Sequence, residues 1–175
     1  MAGGTLEFKM NNTPKVECYT SFNFGDIKPT GWLQKQMQTD LDGIIKHLPE
    51  LIPDLINDPI YGSGRLSANS KPKDLGNNKE GDAEGDEQYK WWNSETQSNW
   101  MDGYIRNAIL LNDSAGMEVI NKYIKNILAT QDKDGYLGIY DASLRYNFDK
   151  ENGELWSKTT LLRGLLAYYE ATQEP

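Results

Sequence analysis

Two short apolar segments, each interrupted by an arginine, constrain this chain more than any other feature. Ile105-Arg106-Asn107-Ala108-Ile109 and Leu162-Arg163-Gly164-Leu165-Leu166 match in character, and from Arg106 to Arg163 the offset is 57 residues. Each lies inside a stretch with helical apolar spacing. Each is also preceded by tryptophan and an acid: Trp91, Trp92 and Glu95 before the first, Glu154 and Trp156 before the second. A period of helix out and helix back is what stacked αα-hairpins produce, because a lone hairpin cannot bury its own apolar face. The expected fold class is therefore all-α, built of αα-hairpins behind a short extended lead-in.

The elements follow from the same spacing. Residues 1–26 read as the lead-in, with Val16, Tyr19, Phe22 and Phe24 suggesting one or two short strands. Pro29 and Thr30 open a first helix whose apolar positions are Trp32, Leu33, Met37, Leu41, Ile44, Ile45 and Leu48, with Pro49 and Pro53 ending or kinking it. From Asn57 to Lys90 glycines and charges interleave, which reads as one long loop. A helix then follows Trp91-Trp92-Asn93, with Ser94 and Gln97 at capping-box spacing and a stripe through Trp100, Met101, Tyr104, Ile105, Ala108 and Ile109. Asn112, Asp113 and Ser114 punctuate it, and Met117, Ile120, Ile124, Ile127 and Leu128 make the returning stripe. Asp132-Lys133-Asp134-Gly135-Tyr136 is read as the stop of that helix, with Gly135 at a left-handed cap. The last helix is expected from about Ser157.

Composition narrows the chemistry. The 175 residues carry 18 basic and 26 acidic side chains, a formal charge of −8, and lack the basic stripe that phosphate backbones require, so no nucleic-acid partner is expected. A mean hydropathy of −0.70, without a long apolar run, leaves no expected membrane span. Met1 to Met10 contain no apolar leader, which points to the cytoplasm; an engineered start would instead allow a periplasmic or secreted protein. One cysteine, Cys18, and one histidine, His47, cannot build a Cys/His zinc site. The acidic run Glu80, Asp82, Glu84, Asp86 and Glu87 lacks the glycine of a calcium loop and has Asn93 where the bidentate glutamate belongs, so it reads as a solvated acidic loop rather than a metal site.

The candidate binding residues are those placed at helix mouths. Trp91, Trp92 and Trp156 offer faces suited to stacking on sugar rings, whereas Trp100 falls at core spacing. Glu95 reads either as a cleft carboxylate stabilised by a helix N-terminus or as a capping acid. Tyr136 and Tyr140 follow the glycine turn and read as cleft aromatics or surface packing. Asp102 and Arg106, four residues apart on one helical face, read as a structural ion pair, and Arg163 takes the same reading.

Taken in order, Ile27-Lys28-Pro29-Thr30-Gly31-Trp32-Leu33, Trp91-Trp92-Asn93-Ser94-Glu95, Trp100-Met101-Asp102-Gly103, Thr130-Gln131-Asp132-Lys133-Asp134-Gly135-Tyr136-Leu137-Gly138, Glu154-Leu155-Trp156 and Ala167-Tyr168-Tyr169-Glu170-Ala171-Thr172 cover most of the chain from residue 26 onward. Together they resemble the N-terminal part of the β-L-arabinofuranosidase-like glycoside hydrolases, family 127 and its relatives. The resemblance implies that residues 27–175 are part of an (α/α)6 toroid, an arc of a ring that would need about twice this length. It implies glycan-cleaving chemistry on arabinofuranoside-like substrates. Trp91, Trp92, Glu95, Tyr136, Glu154 and Trp156 would then contribute to the substrate cleft.

The cysteine nucleophile, zinc ligands and acid/base that the family uses lie in its later half, so this chain is expected to hold no catalytic residue and no cofactor, zinc belonging to the full family domain. Cys18 does not match the nucleophile motif. The family's His-Glu-Leu-Tyr and Gly-His-Leu are here Gly153-Glu154-Leu155-Trp156 and Thr159-Thr160-Leu161, a divergent branch. Two alternatives to an enzyme fragment are a non-catalytic carbohydrate-binding unit and a helical interaction module, the latter self-associating through an exposed helical face.

Overall fold

The computed structural model of the chain describes residues 19, 21–67, 69–70, 88–146 and 153–174, with 88–90 described by backbone alone. The class is all-α. Helix α1 (Gly31–Asp40) passes through a π-helical turn (Leu41–Ile45) into α2 (Lys46–Leu51) and α3 (Pro53–Ile56), followed by α4 (Gln88–Leu111), α5 (Ser114–Leu128) and α6 (Glu154–Thr172). No strand occurs among the described residues, only one isolated parallel bridge between Leu66 and Tyr140. The expected strands of the lead-in are turn and bend at residues 24–27, while Val16 and Cys18 lie outside the described residues, as does the acidic run 80–87.

The helices bearing the two repeated segments, α4 and α6, are packed side by side and share the most extensive contact in the fold. Gly164 lies at this contact, where a Cβ would sit at van der Waals distance, 3.5 Å from Ile105 Cδ1 and 3.6 Å from the Asp102 Cα. Helix α5 returns antiparallel to α4, and Met101, Tyr104, Ile105, Ala108, Ile120, Ile124, Ala167 and Tyr168 close one core across the three helices. A second core, formed by Ile60, Tyr61, Leu66, Trp91, Ile127, Ile139, Tyr140 and Leu161, lies toward the start of α6.

The described part of the long loop read at 57–90 that precedes α4, residues 57–67 and 69–70, is turns and coil with one bridge residue, yet it packs into that second core. Ile60, Tyr61 and Leu66 are buried, and Tyr61 inserts its hydroxyl between α4 and α6, 2.8 Å from Ser98 Oγ and 3.2 Å from the Ser157 carbonyl. Burial pushes that phenol up to about 12. Ser94 Oγ lies 2.6 Å from Ser157 Oγ, so a polar seam of small hydroxyls runs through the helix interface with its members paired.

Helix boundaries depart from expectation in three places. Helix α4 starts at Gln88, not after Asn93, so Ser94 and Gln97 are not a capping box. Ser94 donates instead to the Trp91 carbonyl, and Gln97 Nε2 donates to the carbonyls of Leu55 and Asp58, both at 2.8 Å, tying α3 to α4. Helix α5 ends at Leu128 with Ala129 right-handed, and Gly135 (φ +88°) serves a separate turn in which the Asp132 N–H donates to the Tyr136 carbonyl. Helix α6 opens three residues early, at Glu154, behind a left-handed Gly153 (φ +75°).

The first helix departs most. Its apolar stripe does not become a core face: Leu41 alone is fully buried, while Trp32 is 79 % and Ile44 61 % exposed. The π-helical turn, with Gly43 at φ −90° and ψ −111°, breaks the 3.6-residue register on which the stripe rests.

Candidate functional site

The loop between α5 and α6 wraps a charged cage around Tyr136. The Arg145 guanidinium lies over the ring at 3.7 Å from its centroid, Lys158 Nζ at 4.3 Å and Arg65 at 5.4 Å, while Tyr146 meets its edge at 6.0 Å. Cations over a buried ring face are stabilised by its quadrupole. Both arginines also bind Asp132, Arg65 at 2.6 Å, and Arg65 further donates to the carbonyls of Tyr61, Gly138 and Thr130. Burial, and then the nearby Glu154 charge, raise the Tyr136 phenol above its ordinary range.

Glu154 closes the cage from the first turn of α6. Its side chain is fully buried, with Oε2 accepting from the Tyr146 N–H at 2.7 Å and Oε1 facing Lys158 Nζ at 2.9 Å. The carboxylate is thus turned into the protein. Hydrolysis of a glycosidic bond needs carboxyl groups aimed at the bond, and this one instead fixes the direction in which α6 leaves the loop.

The Asp132 carboxyl is held below its ordinary 3.8 by hydrogen bonds from Arg145 and then Arg65. A carboxylate with a depressed folded value stabilises the fold above its unfolded value, and the contribution is lost as pH falls through the folded value. Asp132→Asn should therefore flatten the acid limb of the stability profile below about pH 4. Thermal melts of both proteins between about pH 2 and 6 check this; an unchanged acid limb would contradict it.

A second cluster spans α4 and α6. Asp102, its side chain only 3 % exposed, receives Arg106 Nε at 2.7 Å on Oδ1 and Arg163 Nη2 at 2.5 Å on Oδ2. The equivalent arginines of the repeat therefore converge on one buried carboxylate. At about 100° per residue, Glu95, Asp102 and Arg106 share one face of α4, and Trp156, Arg163 and Glu170 share one face of α6. This face lies away from α5: Tyr168, which bonds Asn121 of α5 at 2.9 Å, stands about 140° round the helix from Arg163. Phe24 of the lead-in reaches it, under the Arg106 guanidinium at 5.2 Å and with its N–H on Glu170 at 3.0 Å.

The six sequence-selected residues are thus divided. Tyr136 and Glu154 meet, but inside the protein rather than at an open cleft. Trp91 is also buried, 4 % exposed, with its ring 6.4 Å from Trp156, so it supports the neighbouring ring and presents no face of its own. Trp92 is partly buried against the second core. Trp156, 56 % exposed, and Glu95, partly exposed in the second turn of α4, remain accessible on the face opposite α5.

Sequence reasoning missed Arg65, Arg145 and Lys158. Lys158 had a signal, standing four residues after Glu154 on a helix, whereas Arg65 lies 67 residues from the Asp132 it binds and had none. No helix among the described residues is long and apolar enough to cross a membrane, and no group of three potential metal ligands occurs among them. Comparison with family models, with curated proteins and with solved structures gives no match.

Proposed function

We propose that the chain is the N-terminal part of a helical-toroid glycoside hydrolase and that it binds glycan along the face shared by α4 and α6. The observation that carries this reading is the half-exposed indole of Trp156, braced from behind by Trp91, in line with the exposed guanidinium of Arg163, which Asp102 holds in place. An aromatic platform beside planar polar groups is the composition that sugar rings require, an apolar face met by stacking and hydroxyls met by hydrogen bonds. The ordered resemblance of most of the chain from residue 26 onward to arabinofuranosidase-like hydrolases gives the reaction class. The part played here is substrate positioning, because among the described residues no carboxylate pair is directed at a common point on that face.

Isothermal titration of the whole chain with arabino-oligosaccharides tests the reading. Saturable binding is expected, weakened by Trp156→Ala about tenfold, which is the loss of about 1.4 kcal/mol of stacking, with negligible hydrolysis of aryl arabinofuranosides. Flat titrations, or turnover by the chain itself, would contradict it.

A second reading, a helical interaction module, is favoured by a separate observation. Leu155, Leu162, Leu166 and Tyr169 form an exposed row along α6, and Leu162 is the repeat equivalent of Ile105, which packs α4 onto α6. A helix apolar on both faces is suited to burial on both. Beside this row an open cleft of about 570 Å³ runs between α5 and α6. Under this reading the row packs against a second copy of the chain. Sedimentation velocity should then show association that Leu162→Glu abolishes, whereas a monomer at every concentration would remove this reading.

A further inference from the structure

We infer that Asp102, Arg106 and Arg163 form a seat for a carboxylate carried on the bound glycan, so that the substrate class is an acidic, uronate-bearing oligosaccharide. The inference rests on the glycan reading above and specifies its substrate.

Asp102 lies beneath the seat. Its two oxygens are both engaged, one by each guanidinium, and its burial means that it turns the arginines outward rather than meeting a ligand. The arginine side chains are 40 % and 55 % exposed. Among the described residues, Arg106 commits only Nε and Arg163 only Nη2 to hydrogen bonds, leaving both Nη groups of Arg106 and the Nη1 and Nε of Arg163 unengaged. Within the cluster two guanidiniums meet one carboxylate, so one guanidinium charge is left over at a fixed place, with the Phe24 ring on one side of Arg106.

A guanidinium edge carries parallel N–H donors and no acceptor, so its matching partner is an acceptor-only planar group, above all a carboxylate. Two other carboxylates share the face, Glu95 and Glu170, each seven residues from a member of the cluster. At 1.5 Å rise per residue Glu95 stands about 10 Å along α4 from Asp102, where solvent screening weakens its repulsion, and Glu170 is engaged by the Phe24 N–H at 3.0 Å. Trp156, seven residues before Arg163, is placed to stack on a neighbouring sugar while the carboxylate is seated. Anchoring both arginines on Asp102 lowers the ordering cost that flexible arginines otherwise bring to binding.

The test is isothermal titration of the whole chain with trigalacturonate, with uncharged galactotriose and with sodium acetate. Trigalacturonate is expected to bind at least about tenfold more tightly than galactotriose, the scale of one charge-assisted hydrogen-bonded contact. Arg163→Ala should remove that preference, weakening trigalacturonate at least about tenfold more than galactotriose, which loses only a neutral hydrogen bond. Arg163→Lys, which keeps the charge without the fork, should restore only part of it, and serves in place of the alanine variant if that one melts early. Equal affinities for the two oligosaccharides, or an unaffected preference in both variants, would overturn the seat and leave the glycan reading standing. Acetate binding as tightly as trigalacturonate would make the seat one for free anions and overturn its assignment to glycan. Absence of binding by either oligosaccharide would overturn the seat, while the glycan reading stands or falls on the separate titration with arabino-oligosaccharides.

Discussion

Gly153→Ala is expected to destabilise the fold by about 2–5 kcal/mol. Two independent costs add at this position. The residue has φ +75°, a conformation that penalises a side chain by about 1–2 kcal/mol. A Cβ built there also falls 2.2 Å from Trp91 Cδ2 and 2.4 Å from Cγ, deep inside van der Waals contact. The indole cannot yield easily, because it is buried in the second core with Trp156 against it, and overpacking of this kind costs about 1–3 kcal/mol. Urea denaturation measures the sum; a loss below about 1 kcal/mol would show that the Gly153–Trp91 contact does not hold.

Glu154→Ala should cost a comparable amount, about 3–5 kcal/mol, the range for removing one partner of a buried ion pair. The substitution leaves Lys158 beside Arg145 on the Tyr136 ring without the Glu154 carboxylate, and it removes the acceptor that Glu154 gives the N–H of Tyr146, itself at φ +62°. Glu154→Gln keeps an acceptor for that N–H and loses only the charge, so it should fall between wild type and the alanine variant. Equal losses in the two variants would show that the ion pair, not the backbone hydrogen bond, carries the effect. Less than about 1 kcal/mol for the alanine variant would contradict the burial of the cage.

These two positions also show what the sequence makes legible. The apolar stripes of α4 and α5, their turn at Asn112 to Ser114, and the all-α class follow directly from spacing, because long amphipathic helices announce themselves through local periodicity. The equivalence of Arg106 and Arg163 is visible as a repeat. Their convergence on one carboxylate is not, since it depends on the long-range packing of α6 on α4, which no local periodicity encodes.

Where long-range contacts decide, local reading fails. Tyr61 stands in a glycine-rich stretch that reads as loop, yet it is buried because α4 and α6 leave a slot lined by Ser94, Ser98 and Ser157. The α1 stripe reads as core, yet the π-helical turn after Asp40 turns most of it outward. Among the candidate binding residues, tryptophan at a helix mouth cannot be ranked for exposure from sequence. Trp91 and Trp156 differ in exposure, 4 % against 56 %, because α4 begins a turn earlier than its capping pattern implies and carries Trp91 into the core.

The central claim, that glycan lies on the face of α4 and α6 opposite α5, is tested most directly by a crystal structure of the chain with a bound oligosaccharide. The account predicts a sugar ring stacked on Trp156 with its neighbour within hydrogen-bonding distance of Arg163. Sugar bound in the cleft between α5 and α6, or none on the Trp156 face at saturating concentration, would contradict it.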